Sequence, residues 1–212
     1  MEKVNEFLLP ALSVTLEQLT KEFNQIPLAR TETLKELTRF IQHKIKGGQK
    51  VYLNFICTHN SRRSHLAQVW AQTAAYYYGV PGIECFSGGT EATAFNPRAV
   101  RAMVEAGFSI VRAKESDNPV YKVRFSNDAS PIRAFSKKYD DPFNPSEDFA
   151  AIVTCSHADE NCPVVLGASA RISITYNDPK DFDGTPQEAA RYKERVHQIG
   201  REMLYAFSKV QL

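Results

Sequence analysis

An apolar run from Val51 to Ile56 stops at Cys57. A polar loop, Thr58 to Arg63, follows, and a helical pattern then places Leu66, Val69, Trp70, Thr73 and Tyr77 on one face. This strand, loop and helix unit most limits what the chain can become. The residues after it repeat the order. Gly79-Val80-Pro81-Gly82 breaks the helix, and Ile83 to Ser87 reads as a second strand closed by Gly88-Gly89-Thr90. Asn96-Pro97 starts a second helix, with Ala99, Val100, Met103 and Val104 as its apolar face and Gly107 at its end. Strands alternating with helices predict an α/β fold, a parallel sheet with covering helices.

Two further strands are expected, Phe149 to Thr154 ending at Cys155, and Arg171 to Tyr176 ending at Asn177-Asp178-Pro179. A loop with Cys162 separates them. Thr185-Pro186-Gln187-Glu188 reads as a capping box, before a helix with a stripe of Ala189, Tyr192, Val196, Ile199, Met203 and Phe207. Residues 113–149 interrupt the pattern and suggest a β-hairpin, Val120 to Phe125 against Ile132 to Phe135. Residues 1–48 read as a helical arm ahead of a catalytic domain at 49–212. In the arm, Leu12, Leu16, Leu19 and Phe23 share one face, and Leu34, Leu37, Phe40, Ile41 and Ile45 share another. Pro27 divides its two helices, Thr31 or Thr33 is the expected cap of the second, and Gly47-Gly48 closes it.

The 212 residues suffice for one domain plus an accessory segment, and 43% apolar with 24% charged residues is ordinary globular composition. A net charge of +2 with the signs interspersed points away from nucleic acid. No apolar run approaches the ~20 residues of a membrane helix, so no membrane partner is expected. The first residues lack a secretion signal, which leads us to expect a cytoplasmic protein. Four cysteines, Cys57, Cys85, Cys155 and Cys162, are too few for a disulfide scaffold in such a chain.

In open parallel sheets, ligands bind beyond the carboxyl ends of the strands. Cys57, Cys155 and Asp178 all fall at such ends. Curled backbone N–H groups from Thr58 through His59, Asn60, Ser61 and Arg62 can hold a tetrahedral oxyanion, with Arg63 as a planar fork. The same donors favour a thiolate at Cys57, and Ser64 can donate to it. The alternative is a chance C-x5-R with a buried cysteine. Cys155 and Cys162 can pair across a loop, and Cys155 can reach Cys57, which allows a thiol relay. They can instead be unrelated packing residues, or join His157 in a zinc site that would need Cys57 as its fourth ligand, so no metal is expected. Asp178 can protonate a leaving oxygen, or belong with Asp181 and Asp183 to a solvated acidic loop.

Cys57-Thr58-x-Asn60-Ser61-x-Arg63-Ser64 resembles the anion loop of the low-molecular-weight protein tyrosine phosphatases. Cys155-Ser156-x-Ala158-Asp159-x-Asn161-Cys162-Pro163 resembles the redox segment of the thioredoxin-coupled arsenate reductases built on that fold, and Asn177-Asp178-Pro179 looks like the place of their acid. The resemblance runs from about residue 50 to the C-terminus, leaving out the helical arm and the hairpin. It implies a four-stranded parallel sheet flanked by helices. It further implies an arsenate reductase in which Cys57 attacks arsenate, Asp178 protonates the departing oxygen, and a Cys57, Cys155 and Cys162 disulfide relay is reduced by thioredoxin, with no bound cofactor. Phosphomonoester hydrolysis through a phospho-Cys57, or a non-catalytic oxyanion-binding or thiol-sensing module, are the alternatives. His59 stands where that family usually has a small residue. Gln68 replaces a glutamate that in some members helps hold potassium, so that ion is not carried over.

Overall fold

The structure, a computed structural model, describes residues 6–161 and 164–212. Four parallel strands make the central sheet, β1 (Val51–Cys57), β2 (Ile83–Gly89), β6 (Phe149–Val153) and β7 (Ala168–Ser173), in the order β2-β1-β6-β7. The strand alternation sorts the two faces. Val51, Leu53 and Phe55 of β1, with Ala150 and Ile152 of β6, face the main core. Ile56, Phe149 and Ala151 face a smaller cluster with Val165, against which Tyr52 and Tyr139 pack.

The main core is helical. α1 (Pro10–Lys21), α2 (Leu28–Lys46), α3 (Arg63–Tyr77) and α4 (Pro97–Glu105) all meet α6 (Glu188–Ser208), the longest helix. Its stripe of Tyr192, Val196, Ile199, Met203 and Phe207 is buried. Gly200 permits the closest approach: a Cβ there would lie 2.7 Å from the Trp70 ring and 2.9 Å from Leu19. The helices of residues 1–48 share this core, since Leu12, Leu16, Leu19, Leu34, Leu37 and Ile41 are fully buried in the same cluster as Trp70 and Phe207. Among the described residues no helix is long and apolar enough to cross a membrane.

Several local expectations change. Residues 109–134 form a three-stranded antiparallel sheet, β3 (Ser109–Lys114), β4 (Val120–Arg124) and β5 (Ile132–Ala134), so the expected hairpin is its β4–β5 half. Val111 is exposed in β3, which left no buried alternation to read. The second helix starts at Leu28 on Pro27, because proline presets the first turn. Thr31 and Thr33 lie inside it, their hydroxyls bonded to the carbonyls of Leu28 and Ala29. β7 ends at Ser173, although Ile174 and Tyr176 still donate to Val153 and Thr154 carbonyls. The last helix starts at Glu188, two residues later than the capping box predicts, with no side-chain cap on its N-cap Gln187; Thr185 Oγ1 instead accepts from Gln187 N–H, and Glu188 reaches back to Gly184 N–H. Val104 faces outward, and Ala102 takes its place in the buried face of α4. The residues after Cys155 form a short helix, α5 (Ser156–Asn161), in place of a loop.

Candidate active site

β1 delivers Cys57, 4% exposed, to the carboxyl edge of the sheet, and α3 begins six residues later at Arg63. Between them the chain curls with its carbonyls outward. Cys57 O accepts from Thr90 N–H and Thr58 O from Glu91 N–H. His59 O accepts from the hydroxyls of Thr93 and Ser136, and Ser61 O from Asn96 N–H. All described peptide bonds are trans, so each carbonyl turned out turns the following N–H in. The N–H groups of Thr58, His59, Asn60 and Arg62 therefore face the centre of the curl, as an oxyanion requires. Asn60 makes the turn at φ 43°. Gly89 lies against it, where a Cβ would come within 2.7 Å of Asn60 N.

A directed chain of hydrogen bonds ends on Cys57 Sγ. Lys137 N–H donates to Asn60 Oδ1 at 2.9 Å, which fixes the amide so that Nδ2 is its donor. Asn60 Nδ2 donates to Ser64 Oγ at 2.8 Å. Ser64 Oγ, 3.1 Å from Cys57 Sγ, then has its own proton left to give to sulfur. Asn60, Ser64 and Lys137 are buried, so water does not compete. Behind them His65 is buried, stacked on Phe95 and 3.2 Å from Ser87 Oγ. Burial, with the Lys137 cation nearby, pushes its pKa well below the ordinary histidine value. Burial also lowers Lys137 to about 8.

Both arginines are bonded to Asp178. Arg63, expected as the oxyanion's fork, gives Nη2 to Asp178 Oδ2 at 2.8 Å and Nη1 to Tyr176 O at 2.9 Å. Arg62, whose N–H belongs to the curl, gives its side-chain Nε to Asp178 Oδ1 at 2.8 Å and Nη2 to Oδ2 at 3.4 Å. Burial opposes charge on Asp178, but Arg63 and Arg62 outweigh it and hold the carboxyl below its usual range. Cys57, His59, Ser61, Arg62, Arg63 and Asp178 close over the loop and leave no space for a water molecule between them. Beside them, lined by Arg63, His157, Asp178, Phe182, Arg191 and Arg195, a cavity of about 490 Å³ opens to solvent. His59 sits on the rim with Nε2 3.7 Å from Glu91, and Ser61 Oγ donates to Ala94 O. These side chains anchor the loop from outside, and its inward N–H groups are left to the centre of the curl.

Cys155 is buried two residues after β6 and shares a small cluster with Cys57, Val153 and Ala158. Thr58 Oγ1 lies 3.5 Å from Cys155 Sγ and 3.4 Å from His157 Nδ1. Ala158 N–H of α5 points at Cys155 Sγ at 3.4 Å, and Arg171 ties Asp159 of that helix to β7. Cys57, Cys85 and Cys155 are free thiols. Cys85 packs inside β2, its thiol pKa pushed up by burial. Cys162 lies outside the described residues. Among the described residues no group of histidine, cysteine and carboxylate side chains is arranged to hold a metal. Sequence reading missed Ser136, the burial of Lys137 against Asn60, where a solvated basic face is the plainer reading, and the Arg62–Asp178 pair. Lys137 is 77 positions from Asn60, and no local pattern reports such a contact.

No protein-family model matches the chain. Among curated proteins it is similar to the arsenate reductase of Brevibacillus brevis, 32% identical over 130 residues, which covers 61% of this chain and 78% of that protein. It is 30% identical over 150 residues to the arsenate reductase of Bacillus subtilis, covering 70% and 89%. Among solved structures, the low-molecular-weight protein tyrosine phosphatase of T. tengcongensis superposes with a TM-score of 0.50, over 76% of this chain and all of that one. Its 17% identity speaks for the fold alone.

Proposed function

The chain belongs to the family of arsenate reductases built on the low-molecular-weight phosphatase fold, and from this premise we propose that it reduces arsenate to arsenite through a relay of thiols. The observation that carries the reading is the pairing of Cys57 with Cys155. Two buried free thiols share one small cluster at the carboxyl edge of the sheet, one under an inward-facing ring of N–H groups and the other beside that ring's first hydroxyl. In the proposed sequence the Cys57 thiolate attacks arsenic, an S–As bond forms and an oxygen leaves. Arsenate bound at the loop draws Arg63 away from Asp178 and adds negative charge beside it. Both effects raise the proton affinity of the carboxyl, so it gains a proton to give the leaving oxygen. Cys155 then attacks Cys57 Sγ. The S–S bond forms, the S–As bond breaks, and its electron pair leaves with arsenic as arsenite. Cys162 displaces Cys57 from the disulfide, and a dithiol reductant of the thioredoxin kind reduces the Cys155–Cys162 pair.

The cavity of about 490 Å³ beside the loop favours a second reading, because it is far larger than an inorganic oxyanion. It can take the leaving group of a phosphomonoester, which Cys57 would attack and Asp178 would protonate. The two readings divide at Cys155 and Cys162, since hydrolysis needs neither. NADPH consumption with thioredoxin, its reductase and arsenate tests the first. Cys155→Ser and Cys162→Ser are each expected to abolish it while sparing hydrolysis of p-nitrophenyl phosphate. Full arsenate turnover in either variant would exclude the relay. A non-catalytic oxyanion or thiol sensor would show no turnover dependent on Cys57.

A further inference from the structure

The oxyanion reading gives work to Arg63 and leaves Arg62 unexplained. Yet the Arg62 side chain is only 9% exposed, and its guanidinium is committed to Asp178. We infer that Arg62 is the positioning residue of Asp178: it keeps the carboxylate at the mouth of the anion loop when Arg63 turns to the oxyanion. The inference rests on the oxyanion reading of the site. The donors around Asp178 divide unevenly. Arg63 supplies one hydrogen bond to the carboxylate, while Arg62 supplies two and Lys180 N–H a third at 3.1 Å. Arg63 also lines the open cavity as well as the closed mouth, and Arg62 lines the mouth alone. Arg63 is thus the side chain placed to change partners. After it leaves, Asp178 keeps three donors with Arg62 present and only the Lys180 N–H without it. With that single donor, nothing would hold the carboxyl, charged or carrying the proton it gains, toward the leaving oxygen rather than solvent. Arg62 supplies the compensating charge and, through two nitrogens of one plane, a fixed orientation.

A double-mutant cycle tests this, with arsenate turnover and arsenate protection of Cys57 from iodoacetamide as its two readouts. Arg62→Gln is expected to lower turnover by about 100-fold or more, as does Asp178→Asn, the size of effect that losing a general acid produces. The double variant is expected to match Asp178→Asn within about twofold, because Arg62 acts only through that carboxylate. The arsenate concentration that half-protects Cys57 is expected to move less than about threefold in Arg62→Gln, whereas Arg63→Gln abolishes protection. Losses that add in the double variant would overturn the inference, as would a tenfold weaker protection in Arg62→Gln, which would make Arg62 an anion ligand. Arg62→Lys keeps the charge and loses the fork, so it carries the same comparison if Arg62→Gln does not fold. Wild-type protein whose Cys57 arsenate fails to protect would overturn the oxyanion reading itself, an outcome separate from additive losses in a protein that does bind.

Discussion

At the level of single residues, Asn60 links the shape of the loop to its chemistry. It holds a left-handed backbone at φ 43° and relays a hydrogen bond from Lys137 to Ser64. Asn60→Gly should keep the conformation and lose the relay, while Asn60→Ala should lose both. The alanine variant is expected to be less stable than the glycine variant by about 1–2 kcal/mol, the cost of forcing an ordinary residue into that region. Urea unfolding measures the difference, and both variants should lose turnover. His65 sets a pH dependence. Burial first, and Lys137 second, keep its folded pKa below the ordinary value, so between the two pKa values the unfolded chain binds more protons. Its contribution is therefore fully present above about pH 6.5 and is lost as pH falls below it, at up to about 1.4 kcal/mol per unit. His65→Gln should flatten that part of the stability profile. Parallel slopes for wild type and variant between pH 7.5 and 5 would show that His65 plays no such part.

At the level of elements, α1 and α2 share one core with the α/β unit. Leu16 of α1 is fully buried within the cluster that holds Trp70 and Phe207. Leu16→Ala should destabilise the whole protein by about 2–5 kcal/mol in a single urea transition. A catalytic domain whose midpoint did not move would show that the arm unfolds by itself. These helices were legible because their leucines recur at helical spacing, and β1, β2 and β6 because their apolar runs are short and end in turns. The parts that were not legible depend on distant partners. The outer edge of β2 is capped by Gln68 on Cys85 O, by Gln72 on Ile83 O and Cys85 N–H, and by Asn144 on Ser87 O. Side chains thereby satisfy the edge that another strand would otherwise extend. Gln68, conspicuous in the sequence for what it replaces, performs this structural task. β3 escaped notice because its pairing with β4 leaves Val111 outside.

In the molecule as a whole, the segments that look like additions reach the site. Ser136 and Lys137 brace the loop from behind, on His59 O and the Asn60 side chain. Arg30 of α2 donates to Thr175 O, next to the Tyr176 carbonyl that holds Arg63, and to Glu202 of α6. The C-x5-R spacing, Cys155 and Asp178 were visible in the sequence as strand-end residues; the ion pairs that hold Asp178 were not, because they form only when β1 and β7 lie in one sheet. The relay from Cys57 to Cys155 is tested most directly in Cys162→Ser. This variant, fully reduced, is mixed with excess arsenate and no reductant, and the products are analysed by arsenic speciation and peptide mass spectrometry. One equivalent of arsenite per chain and a Cys57–Cys155 disulfide are expected, because those two thiols supply both electrons. Free thiols at both positions with no arsenite released would contradict the relay.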